Sequence, residues 1–106
     1  MYYTKRHQNK FPAALKDARI SLGFAQEAFS LASSRTYVSS LERGIKSPTL
    51  NKVDALAEVL GIHPLTLLML SYLDDRHTKT ADELMALVAK ELHLVLGAKK
   101  SGKADT

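Results

Sequence analysis

The chain of 106 residues has no cysteine. Neither a disulfide nor a thiolate zinc site can therefore staple the fold. Such a chain is compatible with a reducing cytoplasm. Long hydrophobic runs are also missing. The longest apolar stretch, Leu65 to Leu73, is too short to span a bilayer. The start, Met-Tyr-Tyr-Thr-Lys-Arg-His, has no apolar region of the signal-peptide kind. No alternating strand pattern, internal repeat, glycine-rich phosphate loop, nucleophile motif or paired-carboxylate motif stands out. His7, His63, His77 and His93 are too dispersed for a recognisable metal motif. The sequence thus offers no constellation for an enzyme, a metal site or a cofactor.

What is present is a packed core and an uneven charge. Apolar residues make up 45% of the chain, too many for a disordered one. The length fits one domain with an appendage. Residues 1–52 hold nine Lys/Arg against three acids, a net of +6; residues 53–106 hold six against eight, a net of −2. The N-terminal half is therefore the candidate face for a polyanion.

Apolar residues recur at helical spacing nearly throughout, so the chain is expected to be all-α. The first helix starts near Pro12, with Phe11, Leu15, Ala18, Arg19 and Leu22 in period and Gly23 as its left-handed cap. A second covers Ala25 to Leu31, with Ala28 and Phe29 inward. Ser33 or Ser34 caps a third, which runs to about Arg43 with Val38 and Leu41 inward. Thr49 caps a fourth, whose Leu50, Val53, Leu56, Ala57 and Leu60 form one stripe, ended by Gly61. A fifth begins at Pro64, with His63 as its start residue, and is apolar on more than one face. After the polar break Asp74 to Thr78, Thr80 and Glu83 form a capping-box pattern for a sixth helix to about Leu96, with Gly97 behind it. The expected layout is a flexible arm over 1–10, a five-helix unit over 11–73, a C-terminal helix within 74–97 and a disordered tail over 98–106.

The second and third segments follow one another with hardly any linker, and the third crowds hydrogen-bonding side chains onto one short helix. A helix-turn-helix reads a major groove in this way. The markers are Arg19 with Leu22-Gly23, Gln26-Glu27, Arg35-Thr36-Tyr37-Val38-Ser39, Leu41-Glu42-Arg43-Gly44, Ser47-Pro48-Thr49-Leu50, and Leu56-Ala57 before Leu60-Gly61. Over about residues 14–69 the chain resembles the Xre/Cro-like family of phage and bacterial repressors. The resemblance implies phosphate binding by Gln26, base reading by the first residues of the third helix, and contacts by Arg35, Thr36, Ser40 and Arg43. It also implies an internal ion pair between Arg19 and Glu42. Two departures stand out. Gln26 to Glu42 is two residues shorter than the usual family spacing, with the shortage between Phe29 and Ser34, and Ala32-Ser33 stand where the turn normally holds a glycine. Ala25 occupies the usual Ser/Thr cap of the second helix; such a loss costs on the order of 1 kcal/mol.

The side chains themselves suit this role. Arg35 can donate two parallel hydrogen bonds to guanine O6 and N7, worth roughly 1–3 kcal/mol of discrimination. Thr36 and Ser40 lie one turn apart on one face, and Ser34 stands at the groove end of the helix. Ser39 points to either side. Gln26 sits beside a helix N-terminus, where backbone N–H groups favour a phosphate. Arg43 and Lys46 neutralise phosphates, unless Lys46 is simply solvated. Tyr37 either donates its hydroxyl to a phosphate or packs its ring on the second helix.

The sixth helix carries Leu84, Leu87, Val88, Leu92, Val95 and Leu96. With the fifth helix, Leu68 included, it is expected to pair with a symmetry mate. The resulting expectation is a cytoplasmic regulator, bacterial or phage-encoded, that acts as a homodimeric repressor on double-stranded DNA without a cofactor. The rival is an antitoxin-type module whose main partner is an unidentified protein and which also binds DNA.

Overall fold

A computed structural model describes residues 9–73 and 78–100. Five α-helices and one 3-10 turn make up the regular structure, and the described residues contain no strand. The chain divides into two compact units, residues 1–72 and 73–106. The expected arm, apart from Asn9 and Lys10, and the end of the tail lie outside the described residues.

In the first unit, α1 spans Phe11–Ser21, with Pro12 in its first turn as expected. The Phe11 N–H donates to Asn9 Oδ1 at 3.1 Å. The Lys10 N–H donates to the Ser71 carbonyl at 2.6 Å, fastening the start of α1 to the end of a later helix. Gly23, at φ +82°, takes the left-handed turn that leads out of α1. A 3-10 turn at Gln26–Phe29 follows, and then α2 at Arg35–Glu42. Thr49 caps α3, Leu50–Leu60, by accepting the Lys52 N–H at 3.1 Å. Gly61 ends it at φ +74°. His63 Nδ1 accepts the Leu65 N–H at 3.0 Å at the start of α4, Pro64–Tyr72. That is the role its place before Pro64 predicts.

The core is one cluster. Leu15 and Ala18 of α1, Phe29 of the 3-10 turn, Val38 and Leu41 of α2, Val53, Leu56, Ala57 and Leu60 of α3 and Leu67 of α4 are all buried. Three inward expectations are corrected. Leu50 is 73% exposed and Leu22 is also exposed. Each sits at a helix end, where the apolar stripe has turned past the edge of the core. Ala28 is exposed as well, because a 3-10 turn advances 120° per residue and only Phe29 comes round to the core. Leu68, expected at a dimer contact, packs half-buried against the core of its own unit.

In the second unit, α5 spans Thr78–Lys100, a length of 23 residues or about 34 Å at 1.5 Å per residue. It departs from expectation at both ends. Thr80 lies inside the helix rather than capping it, and Gly97 is carried through rather than stopping it. One glycine costs a helix only about 1 kcal/mol, and Gly97 has no Cβ neighbour to miss. Among the described residues no single helix is long and apolar enough to cross a membrane.

The buried polar link of the first unit is an ion pair. Arg19 Nε donates to Glu42 Oε2 at 2.6 Å and Nη2 to Oε1 at 3.0 Å, with the side chains 12% and 4% exposed. The remaining fork of Arg19 donates to the Phe24 carbonyl at 3.0 Å, and Gln26 Nε2 donates to Glu42 Oε1 at 3.0 Å. This is the pair the family resemblance implies. Burial alone would push the Glu42 carboxyl up. The hydrogen bonds from Arg19 and Gln26, with the charges of Arg19 and Lys16, outweigh it and hold the carboxyl below its ordinary value of 4.5. The hydrogen bond to Glu42 likewise raises Arg19 against the opposing effect of burial.

Breaking one side of such a pair leaves a buried charge unpaired. Glu42→Ala is expected to destabilise the chain by about 3–5 kcal/mol, read by urea denaturation. A variant that unfolds with the parent would show that the pair contributes nothing. The lowered carboxyl also sets a pH dependence. Glu42 contributes its full stability above the ordinary carboxylate value and loses it as pH falls through the lowered folded value. The stability gap between parent and Glu42→Gln is therefore expected to narrow in the window from the ordinary carboxylate value of 4.5 down to the lowered folded value. A gap that stays constant across that window would contradict the assignment.

Candidate nucleic-acid interface

The expected second helix contracts to a single 3-10 turn. Its N-cap residue, Ala25, offers no side-chain hydrogen bond, so nothing at that end favours a longer helix. After Phe29 the chain closes tightly: the N–H groups of Ala32 and Ser33 both donate to the Phe29 carbonyl, at 2.8 and 2.7 Å. The two residues absent from the family spacing are thus taken out of the second helix and its turn. A four-residue 3-10 turn has little macrodipole, so what Gln26 offers at the surface is its side-chain amide rather than a helix N-terminus.

Lys52, on α3, holds this glycine-free turn from outside. Its ammonium donates to the Ala32 carbonyl at 2.9 Å and stands 5.3 Å from the centre of the Tyr37 ring. Lys46 lies at 5.7 Å from the same ring. A cation over an aromatic face is attracted by the ring quadrupole. Tyr37 is half-buried and packs against the core, with two positive charges beside its ring. Sequence reasoning passed over Lys52, because its position in α3 carries no helix-turn-helix signal.

Ser34 is the N-cap of α2, its Oγ accepting the Tyr37 N–H at 3.0 Å. Of the two serines left open by the sequence, this is the one that caps. Its hydroxyl hydrogen is not used by the cap, which takes only an oxygen lone pair. Arg35 and Thr36 are exposed in the first turn of α2. Together with Gln26, Ser39 and Arg43 they line one shallow concavity on the surface. Ser39, left open by the sequence, therefore belongs to the outer side. Arg43 leans back along the helix, its Nε donating to the Ser39 carbonyl at 3.4 Å.

Ser40 requires a correction. It is buried at 6% exposure and does not share the outer face with Thr36. Ser40 lies next to the buried Leu41 on α2, and Gly44, at φ +76°, reverses the chain just after it, with the Ile45 N–H donating to the Ser40 carbonyl at 2.9 Å.

The Gln26 amide is oriented from behind. One of its hydrogens goes to Glu42, which the guanidinium of Arg19 fixes in turn. The second hydrogen of the amide is left for an acceptor outside the protein. Arg35 is matched by a neighbour that sequence reasoning did not single out: its Nη1 lies 3.1 Å from Glu27 Oε2, with the side chains 69% and 61% exposed. The described surface therefore carries a donor-rich patch of Gln26, Arg35, Thr36, Ser39 and Arg43, flanked by Lys46, Lys52 and one carboxylate.

No curated protein and no solved structure matches the chain. The model of a helix-turn-helix family matches residues 15–67, from the first turns of α1 to the middle of α4. That span covers half of the chain and contains all of the core cluster but Phe11, the ion pair and the donor-rich patch. The order of its elements, the capped recognition helix and the Arg19–Glu42 link agree with the match. The chain belongs to the Xre/Cro-like helix-turn-helix family, a family of DNA-binding transcriptional regulators rather than of enzymes.

Proposed function

We propose that the protein is a sequence-specific repressor that binds a two-fold symmetric operator as a homodimer. One observation carries the DNA-reading part: Arg35, Thr36 and Ser39 of α2 share an exposed patch with Gln26 and Arg43. With α2 in a major groove, Arg35 reads a guanine edge while Thr36 and Ser39 reach neighbouring bases. Gln26, Ser34, Arg43 and Lys46 hold phosphates and fix the register of the helix on the duplex. Tyr37 supports this by keeping the Lys46 and Lys52 charges beside α2.

The homodimer rests on α5. Its Leu92, Leu94, Val95 and Leu96 are 53–65% exposed, and Met85 and Val88 are also open. Leu84 and Leu87 are half-buried on the same helix. An isolated helix is marginal in water, and an apolar stripe of this width calls for a protein surface. A second copy of α5 supplies a matching stripe under two-fold symmetry. Two recognition helices would then sit about 34 Å apart, one turn of DNA, on adjacent half-sites.

Two outcomes test this reading. Affinity for a duplex selected from a random pool is expected to fall steeply with salt, because bound phosphates release counterions. Arg35→Ala is expected to weaken binding to the selected duplex more than to a scrambled one, by about fivefold or more. Equal losses on both would reduce Arg35 to a phosphate contact. For the dimer, sedimentation of the intact chain at micromolar concentration is expected to give twice the monomer mass, and truncation before Thr78 a monomer with weaker operator binding. A monomeric intact chain would remove the homodimer and leave α5 to a different protein, as in the antitoxin reading.

A further inference from the structure

Among the described residues, the ion pair at the exposed patch joins Glu27 to Arg35. Glu27 Oε2 is 3.1 Å from Arg35 Nη1, and both side chains are largely in solvent. An exposed pair of this kind contributes little to folding. Its location is costly for DNA binding, because a negative charge at a surface that meets phosphates opposes association. An acid placed at such a cost acts through the arginine it touches.

We propose that Glu27 is a specificity-determining positioning residue, which orients the Arg35 guanidinium for guanine and keeps it from settling on phosphate. The inference rests on the base-reading role of Arg35. The guanidinium carries five N–H donors in a rigid planar fork. The Glu27 carboxylate stands beside Nη1, so its charge draws that end of the fork towards the 3-10 turn and leaves the other donors for the two acceptors of guanine. A guanidinium that swings to a phosphate must leave Glu27 and brings a phosphate towards its carboxylate. Guanine, a neutral acceptor, imposes no such repulsion. Glu27 therefore opposes the phosphate contact more than the base contact. The compact turn makes the arrangement available. With the second helix cut to Gln26–Phe29 and the chain closing back onto the Phe29 carbonyl, the first residue of α2 stands beside the 3-10 turn.

Glu27→Gln keeps the side-chain length and a hydrogen-bond acceptor but removes the charge. The assay measures affinity for two duplexes of equal length: the one that the parent selects from a random pool, and a scrambled version. Glu27→Gln is expected to bind the scrambled duplex about fivefold more tightly, with a salt slope steeper by about 0.9, as Arg35 takes up a phosphate. Affinity for the selected duplex should change much less, so the ratio of the two falls. In an Arg35→Ala background, Glu27→Gln should leave the ratio unchanged. Thermal melting of each variant checks that folding is retained. If Glu27→Gln raises both affinities by the same factor, Glu27 is only a repelling charge and the proposal is overturned, while the DNA reading stands. If the parent selects no sequence, the base-reading role of Arg35 falls and the proposal with it.

Discussion

The carboxylate of Glu42 is the point on which the first unit turns. It lies at the end of α2, nearly buried, and accepts hydrogen bonds from Arg19 of α1 and Gln26 of the 3-10 turn. Three elements of the DNA-binding domain therefore meet at one side chain. Arg19 also donates to the Phe24 carbonyl and fixes the chain between α1 and the 3-10 turn. A buried pair contributes little net stability against an apolar substitute, but an unpaired partner is costly. Its value lies in geometry: the pair sets where α2 ends and how the Gln26 amide is turned. The stability of the unit and the orientation of the Gln26 amide are thus coupled through one group.

Around that anchor, the turn between the 3-10 segment and α2 has been compressed. The turn lacks the usual glycine, and the chain answers with two devices. The backbone closes on the Phe29 carbonyl, with Phe29 itself at the centre of the core. Lys52 reaches in from α3 to the Ala32 carbonyl. The same lysine shares the Tyr37 ring with Lys46, so a prop for the turn also adds positive charge next to the recognition helix. Compression further places Glu27 against Arg35. A shortened scaffold has not emptied the recognition surface; it has changed which side chains border it.

The second unit follows a different logic. In the first, the helices meet in one core, and mismatches such as Leu22 and Leu50 fall at helix ends. Helix α5 keeps apolar residues on more than one face and leaves many of them open. Helices of this length and composition gain little from propensity alone and derive most of their stability from packing. The first unit is organised around an internal polar link, and α5 around an external apolar surface.

Much of this was legible in the sequence. Helical period, Pro12, the Ser34 and Thr49 caps and the turns at Gly23, Gly44 and Gly61 locate the helices of the first unit, because these signals act within a few residues. The family pattern located the Arg19–Glu42 pair and the patch around Arg35. Four features were decided only in three dimensions. Ser40 is buried although Thr36, one turn before it, is exposed. Lys52 and Glu27 reach their partners across 20 and 8 residues, distances at which no local pattern operates. The second helix shrank because its length depends on the closing turn and on the core around Phe29. At the other end, α5 ran through Gly97, since one glycine costs less than the hydrogen bonds of a continuing helix return. Local chemistry names the elements and their ends; packing and long-range pairing decide which faces are left to meet DNA.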